Sequence, residues 1–375
     1  MPYLPPMRLT GATILRDGAL RQRSVAILRG RIAKGPLPGV DLDGYLILPG
    51  IVDLLFAAPQ TGTPELALRR AALDAARAGI TTAWITPHWG WDGGRDDPDR
   101  AHALLRVLRP RMVPDLRPGL RIESYRTETT QALVDLCQEL RPELAWFESD
   151  FLRLHELQRH APLAFADEAA RLEMAPETLG QALDAAGQRR REVPRHLCRL
   201  AEAFDEIRAR YGSIGDAGGA MRETHSMIGA GLAACPAAHS AAAAARAMGD
   251  PVLLSAADED RLHDFLRLGL GDALVSDGAA QRLVPLALAL AGPDLAGLPR
   301  LWALLSQRPA EIMRLADRGR LDHGCRADLV IIRQDTGAVE ATISAGRMIH
   351  LTGEARERFA QAAIGNQGEL RMAAE

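Results

Sequence analysis

Lysine and asparagine are almost missing from this chain: Lys34 is the only lysine and Asn366 the only asparagine, while arginine and alanine abound, which most simply reflects a GC-rich genome. The four cysteines, Cys137, Cys198, Cys235 and Cys325, lie far apart without a C-x-x-C pair, so neither a disulfide framework nor a cysteine zinc site is expected. A reducing cytoplasm fits that usage. The chain has no charged segment followed by an apolar stretch near Met1, and no run of about 18 apolar residues free of charge, so neither a secretory leader nor a membrane span is expected. Charge is balanced, 45 basic against 48 acidic residues, which leaves no electrostatic footprint for nucleic acid or an anionic membrane but keeps phosphate binding at one pocket open. No G-x-x-x-x-G-K-[ST], H-E-x-x-H or G-x-S-x-G motif occurs.

What is present is ordinary globular material: 375 residues, 47% apolar and 25% charged, enough for one large domain and a smaller appendage. From Met7 to Ile47, short β-rich runs such as Ala12–Leu15 and Ser24–Leu28 are punctuated by Asp17-Gly18 and Gly30, the marks of hairpin turns. The same texture returns after Asp317, in Ala327–Ile332 and Ala341–Gly346, so the two ends are expected to pair into one sheet. Between them, apolar runs alternate with helical patterns, the signature of βα units. Counting the weak run Tyr211–Gly215 gives about eight strands, the number a TIM barrel requires.

The expected architecture is therefore α/β: a TIM-like (β/α)8 barrel over residues 48–316 and a small β-sandwich module built from residues 1–47 and 317–355. A tail follows over 356–375. Residues 151–210 are charged, mostly helical in pattern and longer than one βα connection, with Gln188–Glu192 as a basic cluster, and read as an inserted helical pair. The alanine-rich run Ala237–Ala247 reads as a packed barrel helix, and no internal repeat is seen.

The order of these segments, carried by Leu48–Asp53, Ala78–Thr82, Glu223–Gly229, Gly269–Asp277, Arg308–Ala310, and Asp317–Leu321 followed by Arg326–Val330, resembles the amidohydrolase superfamily. Within it, the likeness is to the ribosyl-phosphonate triphosphate diphosphatases of carbon-phosphorus bond metabolism. The resemblance implies a metal-assisted hydrolase in which a metal-bound water attacks and a carboxylate takes its proton. It also implies that the metal ligands of the first strand should stand at positions 55 and 57, which here are Leu55 and Ala57. Lys34 precedes the barrel, so a carboxylated lysine bridging two metals is excluded.

Asp277, in Ser276-Asp277-Gly278, matches the family's aspartate at the end of the eighth strand, which touches the metal and acts as base; alone, it would read as a helix or loop cap. Glu123 matches a strand-end metal ligand, or else an exposed charge paired with Arg121 or Arg126. Opposite the family's Ser-His-Asp-Asp stand Ser213, Ile214, Gly215 and Asp216, and the fourth-strand Asp-His is replaced around Ser149-Asp150. The segment that would approach the phosphates is shortened to Glu259–Asp264, where Arg261 and His263 could contribute. His88, beside Trp89, Trp91 and the acidic loop Asp92–Asp99, and His225, near Asp216, are candidate substrate contacts or hydrogen-bonded structural residues.

A rebuilt site of Glu123, Asp150, Asp216 and Asp277 would be oxygen-rich, suiting Mg²⁺ or Mn²⁺ more than Zn²⁺. Two readings follow. One is a divergent hydrolase that uses a divalent metal (Zn, Mn or Mg), or none, on a small phosphorylated or amide-type substrate. The other is a catalytically inactive paralogue that binds a ligand or partner protein in a mouth lined by Leu55, Ala57 and Ile214. A homo-oligomer is compatible with both.

Overall fold

Ile51–Phe56 is a continuous apolar run broken by one aspartate, and all six residues are buried, as a strand covered on both faces demands. It opens a sheet whose main path is eight parallel strands, continued by Ile80–Ile85, Asp115–Glu123, Leu144–Glu148, Arg210–Ile214, Ala233–Ala234, Val252–Ser255 and Ala273–Val275, with the short ninth strand His88–Trp89 paired to Asp115–Glu123. A computed structural model describes residues 3–59, 62–110 and 112–372 of the chain. The first and last strands are joined by bonds rather than a regular ladder: the Asp277 N–H donates to the Leu55 carbonyl at 3.1 Å and the Ser276 hydroxyl to the same carbonyl at 3.2 Å. A nearly closed barrel results. Val52, Leu54, Trp84, Leu144, Trp146, Leu232, Leu253 and Val275 pack in one apolar cluster within it.

The helix after the first strand, Pro64–Arg77, shows how the wall forms. Thr63 caps it, its hydroxyl accepting from the Leu66 N–H, and Pro64 supplies a preset φ at the first helical position. Ala67, Leu68, Ala71 and Ala75 recur on the face turned to the barrel and are buried. Gly79 follows at φ +78, and a Cβ there would stand 2.9 Å from the Val330 side chain, so left-handed backbone and close packing both select glycine.

The two chain ends do share a sheet. Leu329–Arg333 pairs antiparallel with Tyr45–Pro49 at the centre of six strands. A second sheet of four strands forms from the N-terminal segment alone and completes the expected sandwich: Arg31–Ala33, Val25–Leu28, Met7–Thr10 and Gly39–Asp41. Met7, Leu9, Ile27, Ile47, Ile331 and Ile343 lie in one core cluster between them, with Phe359 of the C-terminal helix Gly353–Met372. Asp115, at the start of the third barrel strand, receives Arg318 at 2.6 Å and Arg326 at 3.2 Å, tying this module to the barrel.

Residues 151–210 hold four α-helices rather than a pair: Phe151–His160, Pro162–Arg171, Pro176–Gln188 and Val193–Ile207. Pro162, Pro176 and Pro194 sit in the first turns of three of them, where a missing N–H is harmless, so the prolines divide the charged run into separate helices. The first three have a core of their own, Phe151, Leu154, Phe165, Leu179 and Leu183 with Trp91. Leu197, Leu200 and Phe204 of the fourth pack instead with Leu133 and Val134 of the helix Thr130–Leu140, as an ordinary barrel helix does.

Candidate functional site

Residues at the C-terminal ends of parallel barrel strands meet in one mouth, and in this fold that is where chemistry is placed. Along Asp115–Glu123, Leu120 and Ile122 turn outward into the cluster shared with the helices. Period-two alternation therefore turns Arg121 inward. Its guanidinium grips Glu148 of the fourth strand with two nitrogens, Nε lying 2.7 Å from Oε2 while Nη2 donates to Oε1. Its remaining nitrogen, Nη1, lies 3.5 Å from Oδ1 of Asp277.

Burial opposes the charge on Arg121, but Glu148 and Asp277 outweigh it and hold the guanidinium pKa above its usual value. Burial likewise raises Glu148, and Arg121 and His88 more than compensate, so its carboxylate stays below the ordinary range. His88 extends the chain of charges: Nδ1 is 3.2 Å from Asp96 Oδ2 and Nε2 is 3.9 Å from Glu148 Oε2. Burial pushes the imidazole down, yet the Asp96 bond and the charges of Glu148 and Asp96 leave it raised.

On the other side of Asp277, Ser255 donates its hydroxyl to Oδ2 at 3.1 Å and the Cys235 thiol lies 3.9 Å from the same oxygen. Cys235 and Asp277 both adopt left-handed backbone, φ +48 and +46, uncommon for side chains of these types and concentrated at functional strand ends. Cys235, Ser255, Asp277 and Arg261 line a cavity of about 200 Å³ with Leu254 and Leu262. Burial, then the Asp277 charge, drives the thiol pKa well above its ordinary value, so Cys235 is a thiol and not a thiolate nucleophile.

The other expected site residues are engaged elsewhere. Glu123 pairs with neither Arg121 nor Arg126: its Oε1 accepts the Tyr125 N–H at 3.1 Å and its Oε2 the Asp150 N–H at 2.8 Å. Its complete burial pushes its pKa up to about 7 despite those bonds. The Asp150 side chain faces Arg153 at 3.0 Å. Asp216 accepts Ser213 at 2.6 Å, Arg222 at 3.3 Å and His225 Nδ1 at 2.8 Å, so the sequence neighbours His225 and Asp216 do meet. Arg261 lies 3.2 Å from Asp258 beside the cavity, and His263 is 3.9 Å from Glu259 on an exposed face.

The donor set decides the metal question. A catalytic zinc takes three protein ligands and harder ions take more. Among the described residues, no group of three or more His, Cys, Asp or Glu is placed to hold a metal. Glu123, Asp150, Asp216 and Asp277 do not form the oxygen-rich cluster expected of them, because the first three are each held by their own backbone or side-chain partners. Leu55 is 1% exposed within the apolar filling of the barrel, and Ile214 packs against the same cluster, while Ala57 is exposed. These residues do not fit the metal that the fold family implies.

Sequence reasoning missed Arg121, Glu148, Ser255 and Cys235 as parts of this mouth. The signal for Arg121 was available: an arginine between Leu120 and Ile122 in a barrel strand has its side chain on the inner face.

No family model and no curated protein matches the chain. Solved structures do match along nearly its whole length. N-acetyl-D-glucosamine-6-phosphate deacetylase from Mycobacterium smegmatis superposes with a TM-score of 0.60 at 18% identity, covering 91% of this chain and 99% of that one. A 5-methylcytosine deaminase from Klebsiella pneumoniae gives 0.61 at 14%, covering 92% and 98%. β-Aspartyl dipeptidase from Fervidobacterium islandicum gives 0.59 at 13%, covering 92% and 96%. Identities this low show a shared fold, and one fold hosts many reactions. Among the described residues no helix is long and apolar enough to cross a membrane. The chain thus shares the fold of these enzymes, a parallel eight-stranded barrel surrounded by helices and carried on β-sheets from its termini.

Proposed function

We propose that this chain is a ligand-binding protein on an amidohydrolase fold, without metal-assisted hydrolysis. What supports the reading is that the three positions where the resemblance places metal ligands are apolar, Leu55, Ala57 and Ile214, with Leu55 buried in the barrel filling. A metal-bound hydroxide needs ligands there, and without it Asp277 offers general-base help worth about 10²- to 10⁴-fold at most. The ligand is a small molecule seated in the cavity of about 200 Å³ beside Asp277 and Ser255.

The second reading, a divergent hydrolase related to ribosyl-phosphonate triphosphate diphosphatases, draws support from Asp277 at the end of the eighth strand. The cavity's surroundings argue against a triphosphate. Arg261 is paired with Asp258, and Asp258, Glu259, Asp260 and Asp264 line the adjoining surface, so polyanions meet repulsion. The test is a thermal-shift screen of small metabolites on the wild type and Asp277→Asn, with hydrolysis followed in parallel. Binding lost in the variant and no turnover supports the first reading; turnover of a phosphorylated compound dependent on Asp277 overturns it.

A further inference from the structure

We infer that Arg121 is the resident cation of this barrel mouth, supplying from within the chain the positive charge that a divalent metal supplies in a metal-bearing barrel. The inference rests on the reading that the mouth works without a metal and goes beyond it by naming what stands there instead. Glu148 and Asp277 end the fourth strand and follow the eighth, and their side chains are 15% and 26% exposed. Two carboxylates gathered in so sheltered a place repel each other and drive one of them to protonate unless a cation lies between. The Arg121 guanidinium, 22% exposed, lies between them, bidentate to Glu148 and 3.5 Å from Asp277. It is permanently charged, and its planar fork matches the carboxylate of Glu148. The third, fourth and eighth strands are thereby drawn together by one side chain.

A second consequence follows. A divalent cation and the guanidinium would compete for the same carboxylate oxygens, so Arg121 excludes the metal as well as replacing its charge. Its removal leaves both carboxylates without the guanidinium, Glu148 with His88 at 3.9 Å and Asp277 with Ser255 and the Cys235 thiol beside it. That vacated centre is a weak site for Mn²⁺ or Zn²⁺.

The test compares wild type, Arg121→Ala and Arg121→Lys by thermal unfolding, each with EDTA, with Mn²⁺ and with Zn²⁺. The wild type is expected to unfold at one temperature in all three conditions. Arg121→Ala is expected to unfold several degrees lower in EDTA and to regain part of that loss in Mn²⁺ or Zn²⁺. Arg121→Lys keeps the charge without the fork and should be destabilised less, with no metal response; if the alanine variant fails to fold in EDTA, its recovery when refolded with Mn²⁺ replaces the first comparison. An Arg121→Ala variant that is as stable as the wild type, or indifferent to both metals, overturns the inference while leaving the non-metal reading intact. A wild type that loses stability in EDTA and regains it with metal overturns the reading beneath it.

Discussion

Oδ1 of Asp53 accepts the backbone N–H of Ser276 at 3.1 Å, so a carboxylate from the first barrel strand holds the last one. The same oxygen accepts the Leu55 N–H at 3.1 Å, which fixes the end of the first strand. Asp53 is fully buried, and burial raises its pKa, so in this chain it serves barrel closure.

Replacing Asp53 by Ala leaves two buried N–H groups without an acceptor and should cost about 2–6 kcal/mol, given roughly 1–3 kcal/mol for each such group. Asn keeps the accepting oxygen and should lose clearly less. Urea denaturation of the two variants beside wild type checks this; equal losses would show that the oxygen contributes nothing to closure.

Glu123 should titrate near neutrality, because burial raises its pKa to about 7. A carboxyl raised on folding favours the protonated native state, so its contribution is present below the unfolded value of about 4.3 and is lost as pH rises to about 7. The loss amounts to roughly 4 kcal/mol at about 1.4 kcal/mol per pH unit. Stability measured between pH 4 and pH 8 should decline for this reason and decline less in Glu123→Gln; parallel profiles would contradict the assignment.

His88 works in the same direction through the opposite charge. Its pKa is raised against burial by Asp96 and Glu148. The imidazolium therefore stabilises the fold fully below about 6.5, and that contribution is lost as pH climbs above it. An NMR titration of the ring should give a midpoint above the ordinary histidine value in wild type and a lower one in Asp96→Asn. An unchanged midpoint would mean that Asp96 does not hold the proton.

Asp115 is the joint between barrel and terminal module, accepting Arg318 and Arg326 from the C-terminal segment and Arg117 from its own strand. Asp115→Ala removes the shared anion while Arg318, Arg326 and Arg117 keep Asp317, Asp328 and Glu143, and should cost about 1.5–3 kcal/mol, the range for a hydrogen bond to a charged group. Calorimetry should show the unfolding transition moved to lower temperature or split in two; an unchanged single transition would contradict the role.

Most of the barrel was legible because its signals are local. Continuous apolar runs such as Ile51–Phe56, the left-handed glycine after the helix Pro64–Arg77, and even the weak strand at Tyr211 follow from hydrophobic pattern and turn chemistry. The position of Asp277 just beyond the eighth strand was legible from its motif. The centre of the mouth was not, because it depends on which residues of distant strands meet: Arg121 looked like a surface partner for Glu123 until strand register placed Glu148 and Asp277 around it. Glu123 failed as a ligand for a reason no motif carries, the two backbone N–H groups that occupy its oxygens. The inserted helices were miscounted because charged helical periodicity runs on across Pro162 and Pro176, which start new helices rather than end the pattern.

Whether the barrel mouth holds a divalent metal is read by elemental mass spectrometry of protein purified without chelator, with Asp277→Ala alongside. The account predicts zinc, manganese and magnesium well below one equivalent in both proteins. Near-stoichiometric metal in the wild type that is lost in Asp277→Ala would contradict it and make metal-assisted hydrolysis the better reading of this barrel.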